Sequence, residues 1–160
     1  MIDFIFLNEI FLINGTSLKQ ASPVEIGFPG LRVRPRGLQM DSNTSIEQLK
    51  DLIKNFCHER DWDQFHTAKD LAIGLVTEAS EVLEHFRFQS ESDVKELLES
   101  PSRKEQIEDE LADTLFFILR FGQRYNIDLA TATARKLNKN ALKYPVDKCR
   151  GLNKKYTELN

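Results

Sequence analysis

Between residues 44 and 145 the apolar positions recur every three to four residues, the spacing of one face of an α-helix. The first stripe consists of Ile46, Leu49, Leu52, Ile53 and Phe56. Either Thr44 or Ser45 can begin this helix, because a Glu or Gln three residues later completes a capping box. The alternation typical of strands is absent from this part of the sequence, so the pattern predicts an all-α fold.

Three more long helices follow from the same periodicity. The second is predicted over residues 68–86, the third over 102–126 and the fourth over 128–143. The segment 91–100 suits a short helix on the crossover between the second and the third. Four main helices of this length predict a bundle.

Local residues support the ends of the later helices. Ser102 with Glu105 forms a capping box that can open the third helix, and Asn126 suits a left-handed residue at its end. Asp128 can cap the start of the fourth helix, and Pro145 stops it.

The second predicted helix carries three glutamates on or near its apolar face. At 100° per residue, Glu78 lies about 20° from Leu71, and Glu81 lies about 60° further round. Both side chains therefore project from neighbouring turns of one face. Glu84 points away and is predicted to be solvated.

The third predicted helix repeats this arrangement. Its main apolar stripe consists of Leu111, Leu115, Ile118 and Leu119. Phe117 and Phe121 flank Glu110 by about 20° on either side, and Asp113 lies about 60° beyond Glu110. An ionised glutamate between two phenylalanines is costly unless a cation accompanies it.

Each acidic pair alone could line an exposed helix edge or form salt bridges with Lys or Arg. Two such pairs, beside apolar stripes on helices predicted to be antiparallel, favour a shared metal site instead. Four carboxylates without a histidine at those positions suit Mg²⁺, or Mn²⁺ as a second possibility. A di-iron site is disfavoured, because its pattern needs Glu-x-x-His on two helices.

The chain divides by composition into three parts. Residues 1–39 are apolar and then punctuated by Gly and Pro, and the DSNTS after Met40 resembles a protein start. We expect residues 1–39 to be a leader or extension outside the fold, or alternatively an arm that packs on a neighbouring subunit. Residues 40–146 are predicted to form the helical domain, and residues 147–160 a flexible polar tail.

Charge and cysteine usage limit the partners. A formal net charge of −3 argues against general binding of nucleic acid or anionic membranes. The sequence contains no run of about 20 apolar residues, which excludes a membrane-spanning helix. Cys57 and Cys149 match no zinc or redox spacing and are predicted to be a buried and an exposed thiol, as suits the cytoplasm.

Three segments in order resemble a known family: RDWDQFHTAKDLAIGLVTEASEVLEHFRF, EDELADTLFFIL and KLNKNALKYP. Together, over residues 45–146, they are similar to the all-α nucleoside triphosphate pyrophosphohydrolases, in particular the MazG-like and dCTP pyrophosphatase branch. The acidic signature is weak alone. It becomes fairly specific in combination with the HT-x-x-x-LA start and the K-x-x-x-N-x-x-x-YP ending.

The resemblance implies a four-helix-bundle-type fold that is completed in a homodimer or homotetramer. It also implies Mg²⁺-dependent hydrolysis of an NTP or dNTP to the monophosphate and pyrophosphate, in the cleaning of nucleotide pools. The implied catalytic and metal-binding residues are Glu78, Glu81, Glu110 and Asp113. The implied substrate-binding residues are Trp62, His66, Lys136, Asn140, Lys143 and Tyr144.

The sequence also departs from the family pattern. Asp70 stands where relatives often have asparagine, and Phe88 where tryptophan is common; Thr77, Ala79 and Ser80 replace a glycine-rich pattern. The first two departures leave the preferred base open, whereas the third does not affect the metal ligands. The sequence also does not determine the sugar, the number of metal ions per site or the general base. The departures also motivate an alternative, a non-catalytic helical nucleotide-binding or antitoxin-like interaction module.

Overall fold

A computed structural model describes residues 40–159, and all regular structure in this range is helical. The elements are α1 (Ile46–His58), a 3₁₀ helix (Trp62–Phe65), α2 (Ala68–Phe86), α3 (Glu91–Glu99), α4 (Pro101–Arg124), α5 (Leu129–Lys143), α6 (Val146–Cys149) and a second 3₁₀ helix (Tyr156–Glu158). The all-α prediction is therefore confirmed. The predicted leader, residues 1–39, lies outside the described residues.

Capping side chains fix several helix ends as predicted. Ser45, rather than Thr44, caps α1: its side chain accepts a hydrogen bond from the backbone N–H of Gln48, and the Gln48 side chain accepts one from the Ser45 backbone. Asp128 caps α5: its carboxylate accepts hydrogen bonds from both the backbone N–H and the hydroxyl of Thr131. These residues act locally, so sequence spacing was enough to identify them.

The predicted N-cap of α4, Ser102, was wrong by two residues. The helix begins at Pro101, and Ser100 occupies the N-cap without a side-chain hydrogen bond. Ser102 and Glu105 lie inside the first turns and do not form a capping box there. Proline is favoured at the first helical position because it has no N–H to satisfy and its φ angle is already helical.

Helix α4 lies at the centre of the described fold. It packs most extensively against α2, and α1 and α3 also pack against it. Leu71 of α2 and Phe117 and Leu119 of α4 are buried in the resulting core. Helix α5, by contrast, packs only sparsely on the other described helices.

Most of the stripe predicted for α4 faces outward. Leu111, Leu115 and Ile118 are 52%, 44% and 37% exposed, and only Leu119 of that stripe is buried. On α2, Leu83 of the predicted apolar arc is 61% exposed. The helical wheel identifies an apolar face correctly but cannot say which neighbour covers it, and these faces are wider than one neighbouring helix covers.

The cysteines and the tail complete the description. Cys57 is fully buried, as predicted, whereas Cys149 is half-buried rather than exposed and donates its thiol hydrogen to the Tyr144 carbonyl at 3.4 Å. The predicted tail contains most of α6 and the second 3₁₀ helix; its flexibility stays a prediction. Within residues 40–159, no helix is long and apolar enough to cross a membrane.

Candidate metal centre and nucleotide site

A glycine sets the close approach of α2 and α4. A Cβ atom added at Gly74 would lie 2.3 Å from Cε1 of Phe117, so any larger residue would displace the ring. Glu78 lies one turn beyond Gly74 on α2, and Asp113 lies one turn before Phe117 on α4. The tight contact therefore brings the acidic segments of the two helices side by side.

Three of the four predicted metal ligands meet at this place. One carboxylate oxygen from each of Glu78, Glu110 and Asp113 lies within 4.8 Å of the other two. Glu81 is outside this group, although its charge acts on all three carboxylates. We call Glu78, Glu110 and Asp113 the carboxylate cluster.

The cluster is electrostatically unfavourable as it stands. Burial, followed by the charges of Glu81, Asp113 and Glu110, raises the pKa of Glu78 to about 7. Burial and then the Glu81 charge likewise raise the pKa of Glu110, although nearby His85 opposes this effect.

The pKa of Asp113 is raised mainly by desolvation and then by the charges of Asp109 and Glu81, although Asp113 itself is exposed. Within the described residues, no Lys or Arg forms an ion pair with Glu78, Glu81, Glu110 or Asp113. Glu84 differs from these four: it pairs with Arg87 at 2.9 Å on the solvent side of α2.

The donor atoms fit a hard divalent cation. The cluster offers carboxylate oxygens only, and Mg²⁺ and Mn²⁺ prefer oxygen ligands over the nitrogen or sulfur ligands of softer metals. A divalent cation would also remove the mutual repulsion that raises these pKa values.

A separate aromatic group holds two of the predicted substrate-binding residues. Trp62, half-buried, packs edge-on against Phe56 at 5.6 Å and His66 at 6.4 Å between ring centroids. His66 is buried and also meets Phe116 edge-on at 6.4 Å. Phe116 in turn contacts Phe117, at 5.4 Å. The aromatic group therefore extends to the contact that aligns α2 with α4.

Sequence reasoning missed Arg120, the largest fully buried side chain described. Its Nε donates a hydrogen bond to His66 Nδ1 at 3.0 Å. Its Nη2 forms an ion pair with Asp63, and its Nη1 donates to Gln123. A lone positive charge within the apolar run FFILRFG was the available signal, but the sequence does not identify its partner.

The four predicted substrate-binding residues near the C-terminus lie on or beside α5. Lys136 is exposed and Asn140 is half-buried. The Lys143 Nζ lies 5.0 Å from the centre of the Tyr156 ring, and Tyr144 meets the same ring edge-on at 5.9 Å. The described contacts do not bring these residues to the carboxylate cluster within one chain.

A surface pocket lies elsewhere. It has a volume of about 730 Å³ and is lined by the starts of α1 and α5 and by the end of α4. None of the predicted site residues lines it, so this pocket is separate from the predicted site.

Comparisons with known proteins connect these features to a family. The profile of the MazG-like family matches residues 73–159. Mouse (Mus musculus) dCTP pyrophosphatase 1 is 32% identical over 124 residues, covering 78% of this chain and 73% of the relative. The human (Homo sapiens) protein of the same name is 30% identical over 125 residues, covering 78% and 74%.

A solved structure is also similar. The crystal structure of a pyrophosphatase from Archaeoglobus fulgidus DSM 4304 superposes with a TM-score of 0.58 at 37% sequence identity. The match covers 62% of this chain and 92% of that one. All three relatives carry names that denote pyrophosphate chemistry, two of them on dCTP.

Proposed function

Because this chain belongs to the MazG-like family, as its sequence resemblance predicted, we propose that it is a Mg²⁺-dependent nucleoside triphosphate pyrophosphohydrolase. It would hydrolyse an NTP or dNTP to the monophosphate and pyrophosphate, and so remove nucleotides from the cellular pool. The observation that carries the proposal is the mutual approach, within 4.8 Å, of the oxygens of Glu78, Glu110 and Asp113.

The carboxylates would have the role of metal ligands. Glu78, Glu110 and Asp113 would hold the cation, together with Glu81, whose charge already acts on the other three. A bound divalent cation withdraws negative charge from phosphate oxygens and makes water more acidic.

The reaction itself requires a water and a proton acceptor. The water oxygen bonds to the α-phosphorus while the bond from that phosphorus to the α–β bridging oxygen breaks, and pyrophosphate leaves with that oxygen. The proton of the water passes to one of the glutamates or to a close neighbour.

The nucleobase would bind at the aromatic group. Trp62 offers a flat apolar surface, and His66 offers a polar edge beside it. The base would then lie at the 3₁₀ helix and the triphosphate at the carboxylate cluster.

We further propose that a second copy of the chain completes the site, in a homodimer or homotetramer. Lys136 and Asn140 would contact the triphosphate, yet α5 packs only sparsely on the other described helices of its own chain. Exposed apolar residues on α2 and α4, such as Val76 at 66% and Leu111 at 52%, offer a surface that a partner can bury.

Mixing two inactive variants tests the shared site. Asp113→Asn disables the cluster of one chain, and Lys136→Ala disables α5 of the other. If the partner supplies α5, the mixed oligomer contains one intact site and regains activity. If each chain forms its own site, both remain disabled and the mixture stays inactive.

A substrate panel tests the activity itself. The protein is incubated with MgCl₂ and each NTP or dNTP, and the products are identified as pyrophosphate or single phosphate. Glu81→Gln and Asp113→Asn should each lower the rate at least about 100-fold, since even outer-shell partners of a metal contribute 10- to 100-fold. Glu84→Gln, on the same helix but paired with Arg87, is the matched control and should keep the rate.

The outcomes separate the two functions that the sequence left open. Full activity in Asp113→Asn would disprove the proposed ligands. Tight binding of a Mg²⁺–nucleotide without product over hours would favour the non-catalytic binding module.

A further inference from the structure

We propose that Arg120 is a positioning residue that holds His66 as a neutral imidazole with its only ring proton on Nε2. The nucleotide site would then present a fixed hydrogen-bond donor to an acceptor atom on the edge of the nucleobase. The second statement rests on the proposed function, whereas the first is a property of the chain alone.

The position of the proton follows from the donor. Arginine stays protonated in proteins and has no acceptor atom, so its Nε can only donate. The nitrogen that accepts this bond, His66 Nδ1, must therefore carry a lone pair instead of a hydrogen. A neutral imidazole carries one proton, and it must lie on Nε2.

Arg120 has little freedom to turn away from His66. Its side chain is fully buried, and its three nitrogens are all engaged. Asp63 balances its charge from the 3₁₀ helix, and Gln123 accepts from Nη1 one turn along α4. A reorientation would separate the buried Arg120 guanidinium from Asp63, and an unpaired buried charge is costly.

Charges around His66 act in both directions. Arg120 and Arg124, both on α4, disfavour a positive imidazole, whereas Asp63 of the 3₁₀ helix and Asp70 of α2 favour it. Burial is the largest effect, and the pKa of His66 is lowered overall. The neutral form is therefore favoured by burial of the ring as well as by the hydrogen bond.

The other ring nitrogen is available to a ligand. Nε2 of His66 makes no hydrogen bond within residues 40–159, and it is not among the fully buried, unsatisfied side-chain atoms of that range. Trp62 and Phe116 stand edge-on beside the ring. A neutral donor among aromatic rings suits the edge of a flat heterocycle, whereas a phosphate would require a cation there.

The tautomer can be measured without substrate. ¹⁵N-edited NMR of the imidazole groups in the full chain distinguishes the two neutral tautomers and the protonated ring. His66, assigned by comparison with His66→Phe, should show the Nε2–H form from about pH 6 to pH 8, spanning the ordinary histidine pKa. A proton on Nδ1, or a protonated ring at about pH 6, would overturn the proposal.

Kinetics with two substitutions test the donor. Arg120→Lys keeps the charge but cannot reach both His66 and Asp63 in the same way, so the hydrogen bond that orients the His66 ring should be weakened or lost. His66→Phe removes the donor. Each should raise KM for the preferred nucleotide about tenfold with little change in kcat, because a uniform binding contact is lost. His66→Gln, which has an amide donor, should recover part of the loss.

A second histidine provides the control. His58→Gln changes an exposed histidine that also faces Asp63, and it should leave KM unchanged. If no nucleotide is hydrolysed although the NMR spectrum shows Nε2–H, the proposed function fails and the tautomer stands. If hydrolysis occurs but KM is unaffected in His66→Phe, the role of the donor fails and the proposed function stands.

Discussion

Two groups of charged residues, each formed by α4 together with a neighbouring helix, contrast in how their charges are balanced. In the carboxylate cluster, Glu78 and Glu110 meet Asp113 with no Lys or Arg paired to them in the described part of the chain. Around Arg120, positive and negative charges are paired, and each guanidinium nitrogen donates a hydrogen bond. The negative charges of the first group are not balanced within the described part of the chain, whereas the charges of the second group are.

This difference distinguishes a group of residues suited to bind a ligand from a group that stabilises the fold. Like charges that raise one another's pKa are tolerated in a fold where a ligand compensates for them, which makes the carboxylate cluster the place to look for chemistry. A satisfied buried network instead fixes geometry. Asp113 and Arg120 are seven residues apart, about two turns on one face of α4, so one rigid helix carries both.

The largest expected effect is on the free energy of unfolding, when the hydrogen-bonded group around Arg120 is disrupted. Arg120→Met should destabilise the protein by about 2–3 kcal/mol, because it removes a charge-assisted hydrogen bond to Asp63, whose side chain is 39% exposed, and another to buried His66. Urea unfolding measures the change. Arg124→Met, one turn further along and exposed, is the control and should cost no more than about 0.5 kcal/mol. Equal losses in the two variants would mean that burial of the guanidinium does not matter.

The next largest effect is expected at the contact between Gly74 of α2 and Phe117 of α4, where the two helices approach closely. Gly74→Ala should destabilise by about 1–3 kcal/mol, since the new methyl group displaces the Phe117 ring and pushes α2 from α4. The affinity for Mg²⁺, followed by calorimetry, should fall as well because the carboxylates separate.

Gly122→Ala is the comparison for this substitution. Its added Cβ would lie 3.0 Å from the end of the Leu129 side chain, which can move, and Gly122 is not at the carboxylate cluster. Unchanged Mg²⁺ affinity in Gly74→Ala would show that the cluster tolerates a wider helix spacing.

These two regions also differ in how far the sequence predicts them. Helical periodicity placed Glu78 and Glu110 beside apolar stripes correctly, because the positions along one helix depend on local geometry alone. The pairing of Arg120 with Asp63 spans 57 residues, and nothing local specifies it. The outward direction of Leu111 was missed for the same reason, since its neighbour is not determined by its own helix.

A smaller effect should appear in the pH dependence of the cation-free protein. The raised pKa of Glu78 means that the native state holds a proton more tightly than the unfolded chain. The protein should therefore lose stability as the pH rises from the ordinary glutamate pKa of 4.5 to about 7, and the loss should be complete above that range. Glu78→Gln should be more stable than wild type by about 1–2 kcal/mol at about pH 8 in EDTA, a value reduced for partial exposure.

Denaturant unfolding at pH values on either side of this window checks the sign. His66, with its lowered pKa, changes stability in the opposite direction, but it does so equally in both proteins, so the difference between them isolates Glu78. Mg²⁺ should recover stability in wild type and much less in Glu78→Gln. A wild-type advantage at high pH in EDTA would contradict a repulsive cluster.

The smallest effect is expected at Glu84, which shares α2 with Glu78 but faces solvent. Its ion pair with Arg87, at 2.9 Å, joins side chains that are 61% and 54% exposed, so Glu84→Gln should change stability by no more than about 0.5 kcal/mol. The same unfolding series should show the wild-type dependence on pH and on Mg²⁺. A lost response to Mg²⁺ would instead place Glu84 among the ligands. In that case the helix face on which a glutamate lies would not decide which of the three glutamates on α2 binds Mg²⁺.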